Sequence, residues 1–378
     1  MASKNKNRQR EARSPVLTVT GKIPLVSVII PMYNSARFIS QTLESLLYQT
    51  MQDFEVIIVD DCSTDNSVEV AESLSEKFGG RLHVIKLSEN NGSGAVPRNI
   101  GIQFACGKYI TFLDNDDLYT KTALEELSGL AEEYQAEVVH TDGFFLLDNE
   151  KFKTATTKEL LDTKNYKVVV CNPSTPRLNN PAYASDNFAE RMRLWLNSDF
   201  HWTTWALFCR RDFWVKNQIN FPNMSVSDDI VANFSCLCKA EKVLRIPNIT
   251  YIYRYHIDST SHENADLDKC FHKWLNNLNI GFNELNKVMH KISFFGEHPD
   301  YRYAVLDWYF KKVIYQARQL QAAYAKIHPA ALNQFVEKEF HPDDAAFSAY
   351  LFNTLNIYRL QLVRLQQENA ELKKFHQQ

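Results

Sequence analysis

The chain of 378 residues is long enough for two domains, or for one domain and an extension. Its 45% hydrophobic content is ordinary for a soluble globular protein, and 42 Lys and Arg against 45 Asp and Glu leave no basic footprint for nucleic acid. Seven cysteines with no CxxC pair and no His/Cys zinc spacing exclude a zinc module and a disulfide scaffold, and suit a reducing cytoplasm.

Residues 1–22 read as a disordered basic arm. They lack the apolar stretch of a secretory signal, and no later run is apolar enough to span a bilayer. The arm is either a solvated tail or a weak electrostatic contact that places the protein peripherally at the inner face of the cell membrane. The first buried strand is residues 26–30, VSVII, a continuous β-rich run. It ends at Pro31-Met32-Tyr33-Asn34-Ser35, and an amphipathic helix follows through Ile39, Leu43, Leu46 and Leu47. Residues 56–59, VIIV, form a second buried strand ending in Asp60-Asp61-Cys62-Ser63-Thr64-Asp65. The next helix carries Val68, Ala71, Leu74 and Phe78 inward and stops at Gly79-Gly80. A third strand spans 83–87, and a polar loop, 88–94, leads into a helix that contains Arg98 and ends at Gly107. Residues 109–113 form the next strand, which runs into Asp114-Asn115-Asp116-Asp117. An amphipathic helix through Leu124, Leu127, Ala131 and Tyr134 and a strand at 137–141 follow. Strands alternating with helices predict an α/β fold with a mostly parallel, right-handed central sheet.

Three carboxylates within residues 114–117 repel one another unless a counter-charge is present. Taken alone, the cluster is either a site for a divalent cation and a diphosphate or an Asp-rich turn capping the next helix. In parallel sheets ligands bind outside the carboxyl ends of the strands. The clusters at 31–35, 60–65 and 114–117 all fall there, and that convergence favours the site. No G-x-G-x-x-G or Walker loop follows the first strand, so the phosphates call for a metal and basic side chains. Tyr33 either stacks on a base or packs at the rim, and Asp61 can accept from a base N–H.

The ordered series VSVIIPMYN, ESLLYQT, FEVIIVDDCSTDNS and RNIGIQFACGKYITFLDNDD, within residues 25 to about 147, resembles family 2 glycosyltransferases of the GT-A fold. The resemblance implies that Pro31, Tyr33 and Asp61, with Asn34 beside them, hold the nucleotide base, and that Arg98 lies near the base and phosphates. Asp114 and Asp116 become the outer members of a D-x-D motif, with Asp116 the direct ligand of Mn2+ or Mg2+. An Asp at the base-reading position resembles a uracil reader, which implies a UDP-sugar donor. In Ser227-Asp228-Asp229 the last residue is the general base by register, and Asp228 stands where the family usually has Glu. Residues 251–256, YIYRYH, resemble the closing strand and offer Arg254 and His256 as diphosphate contacts, His256 also as a third metal ligand. Arg254 is otherwise a surface cation on an edge strand, and His256 a packed or solvent-facing residue. Asp117 is left to cap the following helix.

These assignments describe an inverting, metal-assisted transfer of a sugar to a hydroxyl of a glycan, lipid-linked or other cell-surface acceptor. The alternative is a non-catalytic nucleotide-sugar-binding scaffold. The expected organisation is a GT-A domain over 23–262 and an α-helical C-terminal region over 263–378. Residues 148–182 read as an insertion or acceptor-side loop. The aromatics Trp195, Phe200, His201, Trp202 and Trp205 serve either core packing or sugar contact. Leu351, Leu355, Tyr358, Leu362, Leu365, Asn369 and Leu372 form a heptad seam within a coiled-coil-like helix at 345–375. That helix either makes the enzyme a homo-oligomer or packs on its own C-terminal bundle.

Overall fold

The apolar runs do form strands, and burial on both faces explains their lack of alternation. Twelve strands are present among the described residues: β1 (Val26–Met32), β2 (Phe54–Asp60), β3 (Leu82–Lys86), β4 (Tyr109–Phe112), β5 (Leu118–Tyr119), β6 (Val138–Thr141), β7 (Gly143–Leu147), β8 (Lys167–Val170), β9 (Ala182–Tyr183), β10 (Leu207–Arg210), β11 (Val243–Ile246) and β12 (Tyr251–Arg254). The α-helices are α1 (Ile39–Leu47), α2 (Ser67–Ser73), α3 (Ser75–Phe78), α4 (Ala95–Phe104), α5 (Ala123–Glu133), α6 (Thr157–Leu160), α7 (Phe188–Leu196), α8 (Arg211–Lys216), α9 (Asp228–Lys239), α10 (Leu267–His290), α11 (Ser293–Glu297) and α12 (Pro299–Gln316). A computed structural model describes residues 23–147, 155–170, 172–255 and 267–316, together with 361, 364 and 365. The basic arm, His256 and the heptad helix apart from those three residues lie outside the described residues.

The main sheet has the order β3-β2-β1-β4-β10-β6-β11-β9. Strands β3, β2, β1 and β4 pair in parallel, with β1 between β2 and β4. Strand β10 then enters antiparallel between β4 and β6, while β11 pairs in parallel with β6. The chain therefore reverses its strand order on either side of β1, the arrangement that opens a crevice at the carboxyl ends. A second sheet, β5-β12-β7-β8, is built from segments on both sides of that reversal.

One expectation changes here. Residues 148–182 are not only a loop, because β8 pairs with β7 and β9 pairs with β11, extending both sheets. One unit comprises Met1–Asn264 with Leu275–Val313, and a second comprises Ala265–Trp274 with Ile314–Gln378. Among the aromatics, Trp195 and Phe200 are fully buried and Trp205 stacks on Tyr251 at 5.2 Å, so these three serve the core.

Helix α4 lies unusually close to β1. A Cβ at Gly101 would meet Ile29 Cγ2 at 2.5 Å, so only glycine permits this approach. The contact fixes the helix whose first turn carries Arg98 beside the strand tips.

Candidate active site

Pro31 occupies a central strand without breaking it. The Ile29 carbonyl accepts from Leu113 N at 3.1 Å, and the Pro31 carbonyl, two residues on, accepts from Asn115 Nδ2 at 3.0 Å. Both face β4, which has ended by this point, so the missing Pro31 N–H removes no ladder bond. Tyr33 then projects from the strand tip and is 44% exposed. Asn34 takes a left-handed backbone (φ 46°), and its Oδ1 accepts from Thr64 N at 2.8 Å while its own N–H donates to Ser63 Oγ at 2.9 Å. Asn34 thus sews the tips of β1 and β2 together.

Asp61, at the end of β2, is buried, and its carboxylate accepts from Asn91 N at 2.9 Å and Asn91 Nδ2 at 2.7 Å. The polar loop at 88–94 is held by this residue, a role that its composition alone did not reveal. Each carboxylate oxygen keeps further acceptor capacity. Cys62 follows with φ 62°, and Ser227, immediately before Asp228, has φ 65°. A non-glycine residue in that region is held there by its surroundings at an energetic cost, and such residues gather at functional sites.

The four polar residues after β4 divide into distinct tasks. Asn115 pins β1 through Pro31, and its own carbonyl accepts from Thr42 Oγ1 of α1 at 3.0 Å. Asp117 does not cap a helix: α5 begins later, and its N-cap residue is Thr122. Instead Asp117 is buried, accepting from Tyr251 Oη at 2.7 Å and from Arg254 N at 2.7 Å. The Tyr251 hydroxyl in turn accepts from Asp114 N at 3.3 Å, so β12 is tied to the motif at three points. Burial pushes Asp117 well above the usual carboxylate range, helped by the charges of Asp116 and Asp114. Arg254 is no surface cation, because β12 is internal in its sheet and the side chain is buried. Its Nη1 donates to Gln41 Oε1 at 2.9 Å, and the guanidinium lies 5.1 Å over the Phe38 ring. Burial works against its charge, and Asp117 and Asp116 are the acidic groups that oppose this most.

Arg98 bridges two carboxylates, one of them in the acidic cluster after β4. Nη2 contacts Asp114 Oδ1 at 2.9 Å and Nη1 contacts Asp228 Oδ2 at 3.1 Å. The side chain is only 12% exposed and lies 5.5 Å from the Phe221 ring. Burial opposes its charge, but Asp228 and then Asp114 outweigh burial and hold it protonated. Asp228, buried in the first turn of α9, is therefore the counter-ion of Arg98. Next to it, Asp229 is pushed well above the usual carboxylate range, first by burial and then by the charge of Asp228, with Arg98 pulling the other way. One of its oxygens accepts from Ile230 N at 3.0 Å.

Among the described residues no group of three or more His, Cys, Asp or Glu side chains is arranged to hold a metal alone. Asp114, Asp116, Asp117, Asp228 and Asp229 nonetheless gather around Arg98 and Arg254. A divalent cation would offset negative charge in such a cluster. Magnesium and manganese need only one or two carboxylates when phosphate oxygens complete the shell. Asp114 and Asp116 are the residues after β4 that could take that role, with one oxygen of Asp114 held by Arg98.

Comparison with known proteins gives a consistent picture. Residues 27–214 match the family model described as glycosyl transferase family 2. The chain is 31% identical over 239 residues to the uncharacterized glycosyltransferase EpsJ of Bacillus subtilis (strain 168), covering 63% of each chain. It is 47% identical over 103 residues to the putative teichuronic acid biosynthesis glycosyltransferase TuaG of the same strain, covering 27% of this chain and 40% of that protein. The chain thus spans less than two thirds of the length of either relative. The crystal structure of S. aureus TarS 1-349 in complex with UDP-GlcNAc superposes with a TM-score of 0.55 at 20% identity, covering 79% of each chain, and so shares the fold.

Proposed function

Since this chain belongs to glycosyl transferase family 2 through its domain at residues 27–214, we propose that it is an inverting glycosyltransferase that moves a sugar from a UDP-linked donor to a glycan or other cell-surface hydroxyl. The observation that carries this reading is the double ion pair of Arg98, which brings the D-x-D motif and the Asp228–Asp229 pair into one site. The complex of TarS with UDP-GlcNAc, a protein of the same fold, supports a UDP-sugar as donor. The name of TuaG, a putative teichuronic acid biosynthesis enzyme, supports a cell-surface polymer as the acceptor class.

In this reading Tyr33 stacks on the uracil, and Asp61 accepts from its N–H. Asp116 holds the divalent metal, with Asp114 between the ribose and Arg98. The metal, when bound, neutralises charge on the departing diphosphate. Arg254 stands behind the motif and offsets the charge of Asp116 and Asp117. On the other side of the transferred sugar, Asp229 takes the proton of the acceptor hydroxyl as that oxygen bonds to the anomeric carbon. A raised carboxylate pKa makes the ionised form of Asp229 a stronger base. A base on one face and a leaving group on the other give inversion without a covalent intermediate. Asp228 neutralises Arg98 and does not itself act as the base.

A scaffold without catalytic function has no need of a half-buried, electrostatically primed Asp229 facing the same guanidinium as the D-x-D motif. The deciding experiment is a panel of UDP-sugars assayed for release of UDP with and without Mn2+, wild type beside Asp229→Asn. Metal-dependent release that disappears in Asp229→Asn supports the reading. Equal release by both proteins refutes the assignment of the base.

A further inference from the structure

The loop at 221–227 delivers Asp228 and Asp229 to the site, and it is anchored by helices that resemble no part of the catalytic motif series. Ser225 N–H donates to Asn277 Oδ1 at 3.0 Å, and Asn277 Nδ2 donates to Ser225 Oγ at 2.8 Å. Asn277, on α10, is buried, and its carbonyl accepts from Tyr309 Oη of α12 at 3.0 Å. The tyrosine ring fits because of a glycine. A Cβ at Gly281, one turn beyond Asn277, would lie 2.0 Å from Tyr309 Oη. Asp229 adds to the forces that raise the Tyr309 hydroxyl, so its charge is felt at this junction. Helix α9 also packs on these helices, through Phe234 against Phe295 at 6.2 Å.

Two residues after Ser225, Ser227 takes its left-handed backbone, φ 65°, as the N-cap of α9 without a side-chain capping bond. A conformation of that kind persists only when its surroundings over-determine it. The paired bonds from Asn277 to both the backbone and the side chain of Ser225 restrain the loop two residues before Ser227, and the Arg98–Asp228 pair restrains it just after.

We propose that Asn277, seated by Tyr309 and Gly281, is a positioning residue that fixes the loop carrying Asp229, so that the helices at 275–313 complete the catalytic site. This rests on the assignment of Asp229 as the general base. A displacement of the base by about 1 Å is enough to slow a reaction about 100-fold while binding of the donor is untouched.

The test uses the full chain carrying Asn277→Ala, Ser225→Ala or Asn277→Asp, with Asp229→Asn measured alongside. Three quantities are read: UDP affinity by calorimetry, release of UDP from UDP-N-acetylglucosamine, and amide hydrogen exchange across residues 221–229, which needs no donor sugar. For Asn277→Ala we expect kcat to fall about 10- to 100-fold with UDP affinity within about twofold of wild type, and exchange of the loop to quicken about tenfold or more. Ser225→Ala keeps the backbone bond and should show a smaller change in the same direction. Asn277→Asp keeps an acceptor for Ser225 N–H and should recover part of the loss. Unchanged loop exchange in folded Asn277→Ala overturns the proposal, as does a parallel loss of UDP affinity and turnover. If Asn277→Ala does not fold, unchanged exchange and turnover in Ser225→Ala overturn it instead. Retained turnover in Asp229→Asn refutes the base assignment, whereas its loss beside full activity and unchanged exchange in Asn277→Ala and Ser225→Ala refutes the positioning role alone.

Discussion

Arg98 and Asp228 lie 130 positions apart in the chain and meet at 3.1 Å. Because the same guanidinium holds Asp114 at 2.9 Å, the tip of β4 and the first turn of α9 cannot shift independently. Lysine preserves the charge but is a single point that cannot fork between two carboxylates. Arg98→Lys should therefore lower kcat by about 100-fold through misplacement of the reacting groups. Arg98→Ala should in addition cost about 3 kcal/mol of stability, because it leaves the buried Asp228 carboxylate without its partner. Urea unfolding and steady-state kinetics on both variants check this, and wild-type kcat in Arg98→Lys would remove the coupling role.

Asp229→Asn keeps the shape of the side chain and removes its basicity. Turnover should fall by about 10²- to 10⁴-fold, the usual contribution of general base catalysis, with UDP affinity unchanged. Calorimetry and a discontinuous UDP-release assay separate the two quantities.

The pH profile should report the same group. Asp229 must be ionised to act, and its pKa is raised by burial and by Asp228. Activity is thus lost as the pH falls through that raised value, placing the acidic limb of kcat/KM above the ordinary carboxylate value of about 4. Asp228→Asn removes a neighbouring negative charge and should move the limb toward lower pH. A limb that stays in place would assign the titration to another group.

Asp116→Ala should abolish the part of UDP affinity that depends on Mn2+ and leave the metal-independent part. The same titration on Asp114→Ala should show a smaller metal effect, since one oxygen of Asp114 serves Arg98. Equal losses in both variants would make them joint ligands.

Tyr251→Phe deletes one hydroxyl that both donates to Asp117 and accepts from Asp114 N. Leaving those buried groups unsatisfied should cost about 1–3 kcal/mol, read as a shift of the urea midpoint. The loss of turnover should exceed the loss of stability if β12 sets the position of the motif.

The strand ends were readable because each rests on a local rule: a β-rich run buried on both faces, then polar residues that cannot be buried unpaired. Tyr33, Asp61, Asp114 and Asp116 stood out as candidates that way. Asp229 came from register within a longer motif series, and its raised pKa could not be anticipated, since its burial and the proximity of Arg98 arise from packing. The pairing of Arg98 with Asp228 was hidden for the same reason: nothing local says that residue 98 will reach residue 228. Asp117 was undervalued because carboxylates in a turn are ordinarily solvated, and its buried partners, Tyr251 and Arg254, lie about 135 residues away, on a strand expected at an edge. Asn277 was invisible because a single Asn on a helix carries no periodic or motif signal. The antiparallel entry of β10 was equally hidden, since a four-residue apolar strand reads the same in either direction.

That insertion sets an order on assembly. Strands β1 to β4 lie within residues 26–112 and can pair as soon as they are made, whereas β6 reaches the sheet only through β10, residues 207–210. During synthesis the outer edge of β4 therefore stays bare for roughly a hundred residues of elongation, which at about 5–20 residues per second amounts to about 5–20 seconds. A bare edge is a template for pairing with another chain. Newly made protein should thus be vulnerable on the ribosome in a way that the finished sheet is not, and chains stalled before residue 207 should be the ones that recruit chaperones or aggregate.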